Sequence, residues 1–500
     1  MIETILPNLN PASGEILMAL SAMALLMFGV FRGNKSTEFV SLLAAAVMFV
    51  TIFVTVSWDE TAVYTFGNMF VVDRFTSFMK ILVLVASAFA VVMSTQYFKD
   101  EQEERFEYPV LLMLATLGMM VMVSANDLMS LYMGLELQSL SLYVLASIRR
   151  DSELSTEAGL KYFVLGALSS GMLLFGSSLI YGFMGSTNFT VIGQSLTHVS
   201  ELSTHMGPNV GIIIGMVLIL SGLAFKISAV PFHMWTPDVY QGAPTPVTAF
   251  FAVAPKVAAL ALLVRVLYVP FGELSSSWTQ VIVFMSLASM VLGSVAAVVQ
   301  TNIKRLMAYS SIGHIGFALV GLAAGNQEGI RGLIIYMSIY LVMNVGTFAC
   351  ILSMRRKDGM VEDISDLSGL IQTRPGMAVA LAIFMLSLAG IPPLAGFWGK
   401  WYVFKALIGM AVADPMHTDY GLMSLAVIGV IASVVGAYYY LNVVRVMFFN
   451  APEGEFILQK SRKMPAIMGV GAALLILFLL PQINGPVLEY ARMAAAALIS

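Results

Sequence analysis

Apolar runs of about 20 residues recur along almost the whole of this 500-residue chain. A helix of about 20 residues is just long enough to cross the hydrocarbon core of a bilayer, so each run predicts one membrane-spanning helix. Charged side chains fall mainly between the runs. The pattern therefore predicts an all-α integral membrane protein.

The runs predict about fourteen transmembrane helices in a single polytopic membrane domain, residues 1–500. Short polar turns join the runs, so we expect no separate soluble domain. The spans are predicted near residues 12–31, 38–57, 76–97, 108–124, 126–148, 159–184, 211–230, 246–268, 278–299, 304–323, 329–353, 376–411, 421–447 and 464–485.

The composition agrees with a membrane location and excludes several kinds of site. Hydrophobic residues make up 59% of the chain and charged residues 11%, with a mean hydropathy of +0.86. A soluble protein has about a quarter of its residues charged. The single cysteine, Cys350, excludes disulfides, Cys-ligated iron–sulfur clusters and zinc ribbons. The net charge of −3 indicates no nucleic-acid partner, and the lipid bilayer is the expected surrounding.

The loop charges predict how the spans are oriented. Lys and Arg concentrate in cytoplasmic loops, and with fourteen spans both termini share one side. One set of loops, together with the termini, holds only Arg74, Arg331 and Arg492. We therefore expect the N- and C-termini on the periplasmic side of a bacterial inner (plasma) membrane. The alternate loops hold Arg32, Lys35, Lys99, Arg105, Arg149, Arg150, Lys304, Arg305, Arg355, Arg356, Lys357, Arg374, Lys460, Arg462 and Lys463.

Of the charged residues inside the predicted spans, four lie near a span centre or beside a proline break, where water is hard to reach. Glu136 and Lys256 are near the centres of their spans, and Lys226 and Lys400 each lie close to a proline. Placing an ionisable group at the bilayer centre costs at least about 2.5–3.5 kcal/mol, so such groups usually mark ion or proton pathways. A structural Glu–Lys pair is the alternative, although buried pairs are weak stabilisers.

Charged residues nearer the predicted helix ends have a simpler explanation. A long cationic side chain can lie along apolar surface and place its charge at the membrane interface. We assign this behaviour to Lys80, Lys161, Arg265, Lys405 and Arg445.

Prolines beside two of the buried lysines indicate interrupted helices. Pro231 follows Lys226, and the segment AGIPPLAGF places Pro392 and Pro393 before Lys400. Non-helical backbone at membrane depth persists only where protein or a water-filled cavity satisfies its polar groups. One interruption in each half of the chain predicts an internal inverted repeat. Two ordinary proline kinks are the alternative.

Five segments of the chain resemble a known family. They are ELQSLSLYVLAS, GLKYFVLGALSSGMLLFGSSLIYG, FKISAVPFHMWTPDVYQGAPTPV, IKRLMAYSSIGHIGF and LAGIPPLAGFWGKWYVF. The chain is similar over nearly its whole length to the antiporter-like subunits of respiratory complex I, the proton-pumping NADH:quinone oxidoreductase. The resemblance implies two inverted five-helix repeats, about 108–268 and 278–447, in which helices 7 and 12 are discontinuous. Flanking helices would cover 12–97 and 464–485.

The resemblance also implies roles for the buried charges. The proton-translocating positions of the family fall on Glu136, Lys226, Lys256 and Lys400. Ionised Glu136 would favour a protonated Lys226, and a change at Glu136 would send the proton towards Lys256 and Lys400. The supporting groups for these transfers are predicted to be His233, His314, Ser228 and Tyr309, with Ser310 and Ser311 as further hydroxyl candidates.

The resemblance implies a translocase subunit without redox chemistry of its own. Protons would cross the membrane here, coupled to electron transfer from NADH to quinone in other membrane and peripheral subunits of the complex. Flavin, iron–sulfur clusters and the quinone site are expected in those partners, with no cofactor or metal in this chain. Two alternatives stay open. One is a subunit of a multi-subunit sodium/proton antiporter or membrane hydrogenase, and the other is an inert scaffold within a redox complex.

Overall fold

The computed structural model describes residues 7–56, 61–202, 210–356, 359–414, 418–454, 456–457 and 462–499. Within these ranges the chain forms helices joined by short turns, and two ribbons of paired strands. The helices are α1 (Ser13–Arg32), α2 (Thr37–Thr55), α3 (Arg74–Asp100), α4 (Glu107–Val123), α5 (Leu128–Ala146), α6 (Glu153–Met184), α7 (Phe189–Leu202), α8 (Val210–Ile227), α9 (Trp235–Gly242), α10 (Thr245–Tyr268), α11 (Ser275–Val298), α12 (Ile303–Ala323), α13 (Gln327–Ile351), α14 (Leu370–Thr373), α15 (Pro375–Ala389), α16 (Ala395–Ala411), α17 (Tyr420–Phe449), α18 (Lys463–Ile476) and α19 (Pro481–Ile499). The antiparallel ribbons pair β1 (Val63–Thr65) with β2 (Phe70–Val72), and β3 (Arg355–Arg356) with β4 (Gly359–Met360).

The predicted all-α membrane architecture is confirmed, whereas the count of fourteen spans is not. Among the described residues, ten helical stretches are long and apolar enough to cross a membrane, or eleven if the bent pair α18–α19 is one span. One stretch, Asn10–Thr55, is 46 residues long and contains α1 and α2, which pack against each other. The apolar helices α4 and α15 are shorter, with 17 and 15 residues.

The last predicted span, 464–485, differs from the structure. After α18 the chain makes one 3-10 turn, Leu477–Leu479, and bends by 82° into α19. Pro481 explains the bend, because proline lacks an N–H and its ring clashes with the carbonyl group four residues earlier. The prediction missed this break. α19 packs on α3 and α13 instead of continuing along the axis of α18.

Two spans are interrupted inside the bundle, as the prolines predict. Residues 228–234 separate α8 from α9, and residues 390–394 separate α15 from α16. In the first break the carbonyl oxygen of Phe225 accepts a hydrogen bond from Trp235 Nε1 at 3.0 Å, and the Val230 N–H donates to Ser289 Oγ at 2.9 Å. Side chains of the protein therefore satisfy polar groups that the break releases from the helix.

The helices of the two halves pack in the same order. In the first half α4 packs on α5, α5 on α6, α6 on the broken pair α8–α9, and that pair on α10. In the second half α11 packs on α12, α12 on α13, α13 on the broken pair α15–α16, and that pair on α17. This order is what an internal repeat requires. The repeat boundaries, about 108–268 and 278–447, stay a prediction.

The loops gather on two faces of the bundle that correspond to the two predicted loop sets. On the arginine-rich face, Glu101 forms ion pairs with Arg149 at 3.2 Å and with Arg355. On the opposite face, the N-terminal face, the Asn126 side chain donates to the carbonyl oxygen of Asn68 at 2.9 Å. The contacts support the predicted grouping of the loops. The assignment of the arginine-rich face to the cytoplasm stays a prediction.

Two cations that we expected at the membrane surface are buried. Lys80 lies 2.6 Å from a carboxylate oxygen of Glu15, with the two side chains 2% and 7% exposed. Arg265 lies 2.7 Å from Asp73, and both side chains are 4% exposed. The expectation was wrong because a carboxylate from another part of the fold lies within reach of each cation. The other three, Lys161, Lys405 and Arg445, are partly or fully exposed.

Candidate functional site

Three buried lysines share one kind of hydrogen bond. Lys226, Lys256 and Lys400 are 4%, 0% and 8% exposed, and each donates to a serine hydroxyl of another helix. Among the described residues none of the three pairs with a carboxylate. A serine hydroxyl accepts a hydrogen bond and can donate its own proton onward. We call these three side chains the lysine row; the serines are Ser139 (2.7 Å from Lys226), Ser311 (bonded to Lys256) and Ser433 (2.8 Å from Lys400).

Glu136 and Lys226 form no ion pair in the described structure; Lys226 binds Ser139, whose own hydroxyl donates to the carbonyl oxygen of Leu135. Glu136 lies near the middle of α5, and Ser139 follows one turn later on the same helix. The Oε1 atom of Glu136 is buried and has no hydrogen-bond partner within the described part of the chain. Its charge nevertheless acts on the Lys226 ammonium. A proton or charge change at Glu136 therefore alters the field at Lys226 without having to break an ion pair.

Glu136 lies on a stripe of α5 that this chain leaves partly uncovered. Met133, Leu140 and Val144 are 62%, 55% and 51% exposed, and Glu136 itself is partly exposed. Met133 precedes Glu136 by three residues, and Leu140 and Val144 follow it by four and eight. Residues at these spacings lie on one side of a helix, so the carboxylate belongs to this outer stripe. A membrane-embedded carboxylate facing hydrocarbon is strongly disfavoured.

Ser228 and His233 lie in the break between α8 and α9, beside Lys226. Ser228 has a φ of 63°, which turns the chain out of the helix, and its buried hydroxyl has no hydrogen-bond partner in the described part of the chain. His233 is half-buried, and its Nδ1 atom has no partner among the described residues. The structure places both predicted supporting residues at the break. Neither forms a hydrogen bond to a lysine of the row within the described ranges.

Lys256 lies at the centre of α10, the most completely buried long helix of the described chain. Its Nζ atom bonds to Ser311 of α12 and lies 5.4 Å from the ring centroid of Tyr240. Ser311 lies three residues before His314 on α12. Lys256 of α10 therefore lies against the face of α12 that carries His314.

His314 lies between two lysines of the row and bonds to two tyrosines. Its Nδ1 atom is 2.6 Å from the hydroxyl of Tyr336, and its Nε2 atom is 3.0 Å from that of Tyr440. The charges of Lys256 and Lys400 both act on the imidazole. The imidazole and the two phenols thus form a continuous hydrogen-bonded group between α12, α13 and α17.

Tyr309, a predicted supporting group, lies outside this network. Its side chain is half-buried and forms no hydrogen bond to the lysine row or to His314 among the described residues. Tyr336 and Tyr440 take that place, and neither was predicted from the sequence. Tyrosines at helical spacing are usually packing residues, so nothing in the pattern distinguished them. Ser310 does join the network, with its hydroxyl 2.5 Å from that of Tyr440.

Lys400 binds the end of its own interrupted helix. Its Nζ atom lies 2.9 Å from the carbonyl oxygen of Ala389 and 3.4 Å from that of Leu388, the last two residues of α15. The C-terminal carbonyl groups of a helix carry partial negative charge, so a cation is stabilised there. Phe317 of α12 covers the ammonium at 4.6 Å from its ring centroid. Lys226 differs in position: it lies on α8, the first half of its broken helix, whereas Lys400 lies on α16, the second half.

No group of three or more His, Cys, Asp or Glu side chains among the described residues could hold a metal ion. Cys350 is a buried free thiol.

Comparisons with known proteins give this arrangement a family. Residues 125–436 match the family described as NADH:quinone oxidoreductase/Mrp antiporter, TM. NADH-quinone oxidoreductase subunit N of Parvibaculum lavamentivorans is 56% identical over 494 residues, which are 99% of this chain and 98% of that protein.

Two solved structures extend the comparison. A chain of respiratory complex I from Thermus thermophilus is 30% identical, with a TM-score of 0.77 over 95% of this chain and 98% of that chain. A chain of the Mrp complex from Dietzia sp. DQ12-45-1b is 22% identical and covers 98% of each chain with a TM-score of 0.81. The second similarity is one of fold alone.

Proposed function

Because this chain belongs to the NADH:quinone oxidoreductase/Mrp antiporter family of membrane subunits, we propose that it moves protons across the membrane within a complex that transfers electrons from NADH to quinone. Its similarity to subunit N of Parvibaculum lavamentivorans supports its assignment as the N subunit of that complex. The observation that carries the proposal is the lysine row, in which each buried ammonium binds a serine hydroxyl instead of a carboxylate.

The serine partners make each lysine a switchable proton carrier. A buried ammonium without a carboxylate is disfavoured by the low dielectric around it, and a small change in the local field shifts its proton equilibrium. Lys304 and Arg265 show the contrasting case, because each lies within 2.7 Å of a carboxylate oxygen. The row is thus distinguished from the other buried cations by its partners rather than by its burial.

The transfers begin at Glu136. While Glu136 is ionised it stabilises the protonated form of Lys226, and its neutralisation or movement weakens the hold of Lys226 on the proton. The Ser139 hydroxyl is the first group that Lys226 contacts. From there the proton passes through water and hydroxyl groups to Lys256, and the His314 network leads from Lys256 towards Lys400.

The outer stripe of α5 supports a place among other membrane subunits. Met133, Glu136 and Leu140 lie on a surface that this chain does not cover. A neighbouring protein with a polar or cationic group opposite Glu136 would remove the carboxylate from lipid and could move its charge during turnover. We propose that a partner subunit covers this stripe.

The family of the chain also supports proposals about its membrane location and about which subunits hold the redox groups. We propose that the chain lies in a bacterial inner membrane, with its termini and the N-terminal face on the periplasmic side, because the arginine-rich face fits the cytoplasm. Flavin, iron–sulfur clusters and the quinone site then lie in partner subunits, and this chain contributes proton transfer without redox chemistry.

The direct test compares two lysines in the assembled complex. Lys256→Met removes the central lysine of the row, and Lys405→Met removes an exposed lysine of α16. We expect Lys256→Met to lower the number of protons pumped per NADH oxidised, whereas Lys405→Met leaves it unchanged. A wild-type ratio in assembled Lys256→Met complex would contradict the proposal.

The sodium/proton antiporter alternative is not favoured. The Parvibaculum relative is 56% identical in sequence to this chain. The Mrp complex chain is 22% identical, so its similarity concerns the fold alone. Sodium-dependent proton movement by purified protein that does not oxidise NADH would reverse this preference.

A further inference from the structure

A buried carboxylate–amine pair lies apart from the lysine row and joins side chains of α1 and α3. Glu15 is in the first turn of α1, and Lys80 lies on α3 with its Nζ atom 2.6 Å from Glu15 Oε1. The two side chains are 7% and 2% exposed. Buried ion pairs contribute little to stability, and apolar side chains of similar size often do as well. The proposed path through the lysine row makes no use of this pair.

A cavity adjoins the pair on the N-terminal face. Its volume is about 410 Å³, and both charged side chains line it together with Asn8, Asn10 and Thr55. One water occupies about 30 Å³ in the liquid, so the space accommodates several molecules beside polar walls. The carboxylate and the ammonium are therefore hidden from bulk solvent but lie against a space that suits water.

The pair and the lysine row lie at a similar depth. Asp73 at the start of α3 pairs with Arg265 near the end of α10, so these packed helices run antiparallel. At 1.5 Å per residue, Lys80 lies about 10 Å along α3 from Asp73, and Lys256 lies about 14 Å along α10 from Arg265. The two lysines are therefore within about one helical turn of each other in depth, on neighbouring helices.

A buried hydroxyl lies on the same side of α3. Asp73, Ser77 and Lys80 are four and seven residues apart, which places them on one face of the helix. The Ser77 hydroxyl is buried and has no hydrogen-bond partner within the described part of the chain. A polar group in this position can hydrogen-bond a water between the lysine row and Lys80.

We propose that Glu15 and Lys80 form a proton-exchange site that links the lysine row to the N-terminal face. The Lys80 ammonium gives a proton to the Glu15 carboxylate, which leaves an amine and a carboxyl group. The carboxyl group passes the proton to water in the cavity, and the amine takes a new proton from the interior. One proton enters and one leaves, and only N–H and O–H bonds change. This inference rests on the proposed pumping function.

The Asp73–Arg265 pair provides a matched control on the same helix. It is as buried as the Glu15–Lys80 pair, and it also ties α3 to a neighbour. An arginine does not release its proton under ordinary conditions, so this pair can only be structural. Neither of its residues lines the cavity.

The first experiment neutralises each pair completely, which leaves no unpaired buried charge. In the assembled complex, Glu15→Gln/Lys80→Met should lower the number of protons pumped per NADH and slow pumping about tenfold, since a positioned proton-transfer group commonly contributes at least that much to a rate. Asp73→Asn/Arg265→Gln should keep the wild-type ratio, because asparagine still caps α3. A wild-type ratio in the first variant, or equal losses in both, would overturn the inference.

Glu136→Gln measured alongside separates this inference from the proposed function. If Glu136→Gln loses pumping while Glu15→Gln/Lys80→Met does not, only the exchange site is withdrawn. If Glu136→Gln and the row variants pump normally, the proposed function itself fails.

A second experiment tests the cavity without touching the pair. The only native cysteine, Cys350, is buried, so Thr55→Cys provides a single site for a membrane-impermeant maleimide. We expect labelling from the N-terminal face. Val56→Trp, which fills the cavity from its wall, should slow both labelling and pumping. Absence of labelling, or normal pumping with the cavity filled, would contradict a water-filled proton site.

Discussion

The Nζ atom of Lys400 lies 2.9 Å from the carbonyl oxygen of Ala389, the last residue of the preceding half-helix. The lysine therefore closes the gap between the two halves of its own span. Its charge is stabilised by peptide dipoles that cannot move away, and by the hydroxyl of Ser433 at 2.8 Å. Loss of its proton weakens these contacts, so the break and the charge are coupled.

Substitution of Lys400 should show whether it carries protons or only supplies charge. Arginine keeps its proton under ordinary conditions, whereas lysine and glutamate can titrate. We expect Lys400→Arg to lose more pumping per NADH than Lys400→Glu in assembled complexes. A wild-type number of protons pumped per NADH in Lys400→Arg would show that Lys400 supplies a fixed positive charge and does not carry the proton.

Gly390 should be needed to position Lys400. A methyl group at Gly390 would lie 3.1 Å from Lys400 Nζ and 3.0 Å from its Cδ, at a φ of 87°. A side chain in this left-handed conformation costs about 1–2 kcal/mol. We expect Gly390→Ala to lower both thermal stability and pumping per NADH. Gly376→Ala in α15 is the control and should change neither, because within the described structure the added carbon meets no atom within 4 Å apart from its chain neighbours and nearby backbone of its own helix.

Glu136 and Lys226 should act together. We expect Glu136→Gln and Lys226→Ala each to impair pumping and coupled quinone reduction while the complex still assembles, because both ionisable groups occupy positions that are otherwise unfavourable. Proton uptake and quinone reduction are measured in vesicles, with assembly checked by the amount of complex recovered. Normal coupling in assembled Glu136→Gln complex would remove this residue from the mechanism.

Ser311 should matter because it is the side-chain hydrogen-bond partner of Lys256 in the described structure. Replacing the hydroxyl by a methyl group in Ser311→Ala leaves a buried polar group unpaired, at a cost of about 1–3 kcal/mol. We expect slower proton pumping at an unchanged amount of assembled complex. Ser338→Ala is the matched control, since the Ser338 hydroxyl donates to the Ile334 carbonyl oxygen of its own helix and to no other group among the described residues. Equal pumping in the two variants would exclude Ser311 from the path.

The two loop faces can be assigned to sides of the membrane with reporter fusions. Fusions after Arg150 and after Lys357 should report the cytoplasm, and fusions near Thr204 and Asp414 the opposite side. Of these positions Lys357 and Thr204 lie outside the described residues, as does Lys460 of the arginine-rich loop set. Finding residues 150 and 204 on one side would show that the span count between them is wrong.

The sequence predicted those parts of the fold that depend on local chemistry. Long apolar runs gave the spans because a helix in lipid must be apolar around most of its surface. Pro231 and Pro393 marked the interruptions because proline removes a helical hydrogen bond wherever it occurs. Lys226 and Lys256 stood out because an ionisable side chain in an apolar run is unfavourable without a partner.

Partners across helices could not be predicted in the same way. Ser311 was predicted as a candidate hydroxyl, but Ser139 and Ser433 are two serines among many, and only packing brings them to the lysines. Lys80 and Arg265 were misassigned for the same reason, because their carboxylates lie far away in the sequence. Tyrosines such as Tyr336 look like packing residues until the structure places them beside His314.

The burial of α10 has a consequence for how the protein is made. α10 is enclosed by α3, α4, α8, α12 and α13, and two of these helices are synthesised after it. When Lys256 first enters the bilayer, Ser311 has not yet emerged from the ribosome. We therefore expect the nascent helix to be held at the insertion machinery, or to be shielded by earlier helices, until α12 arrives. Truncations that end before α12 should then be cleared by membrane proteases rather than accumulate.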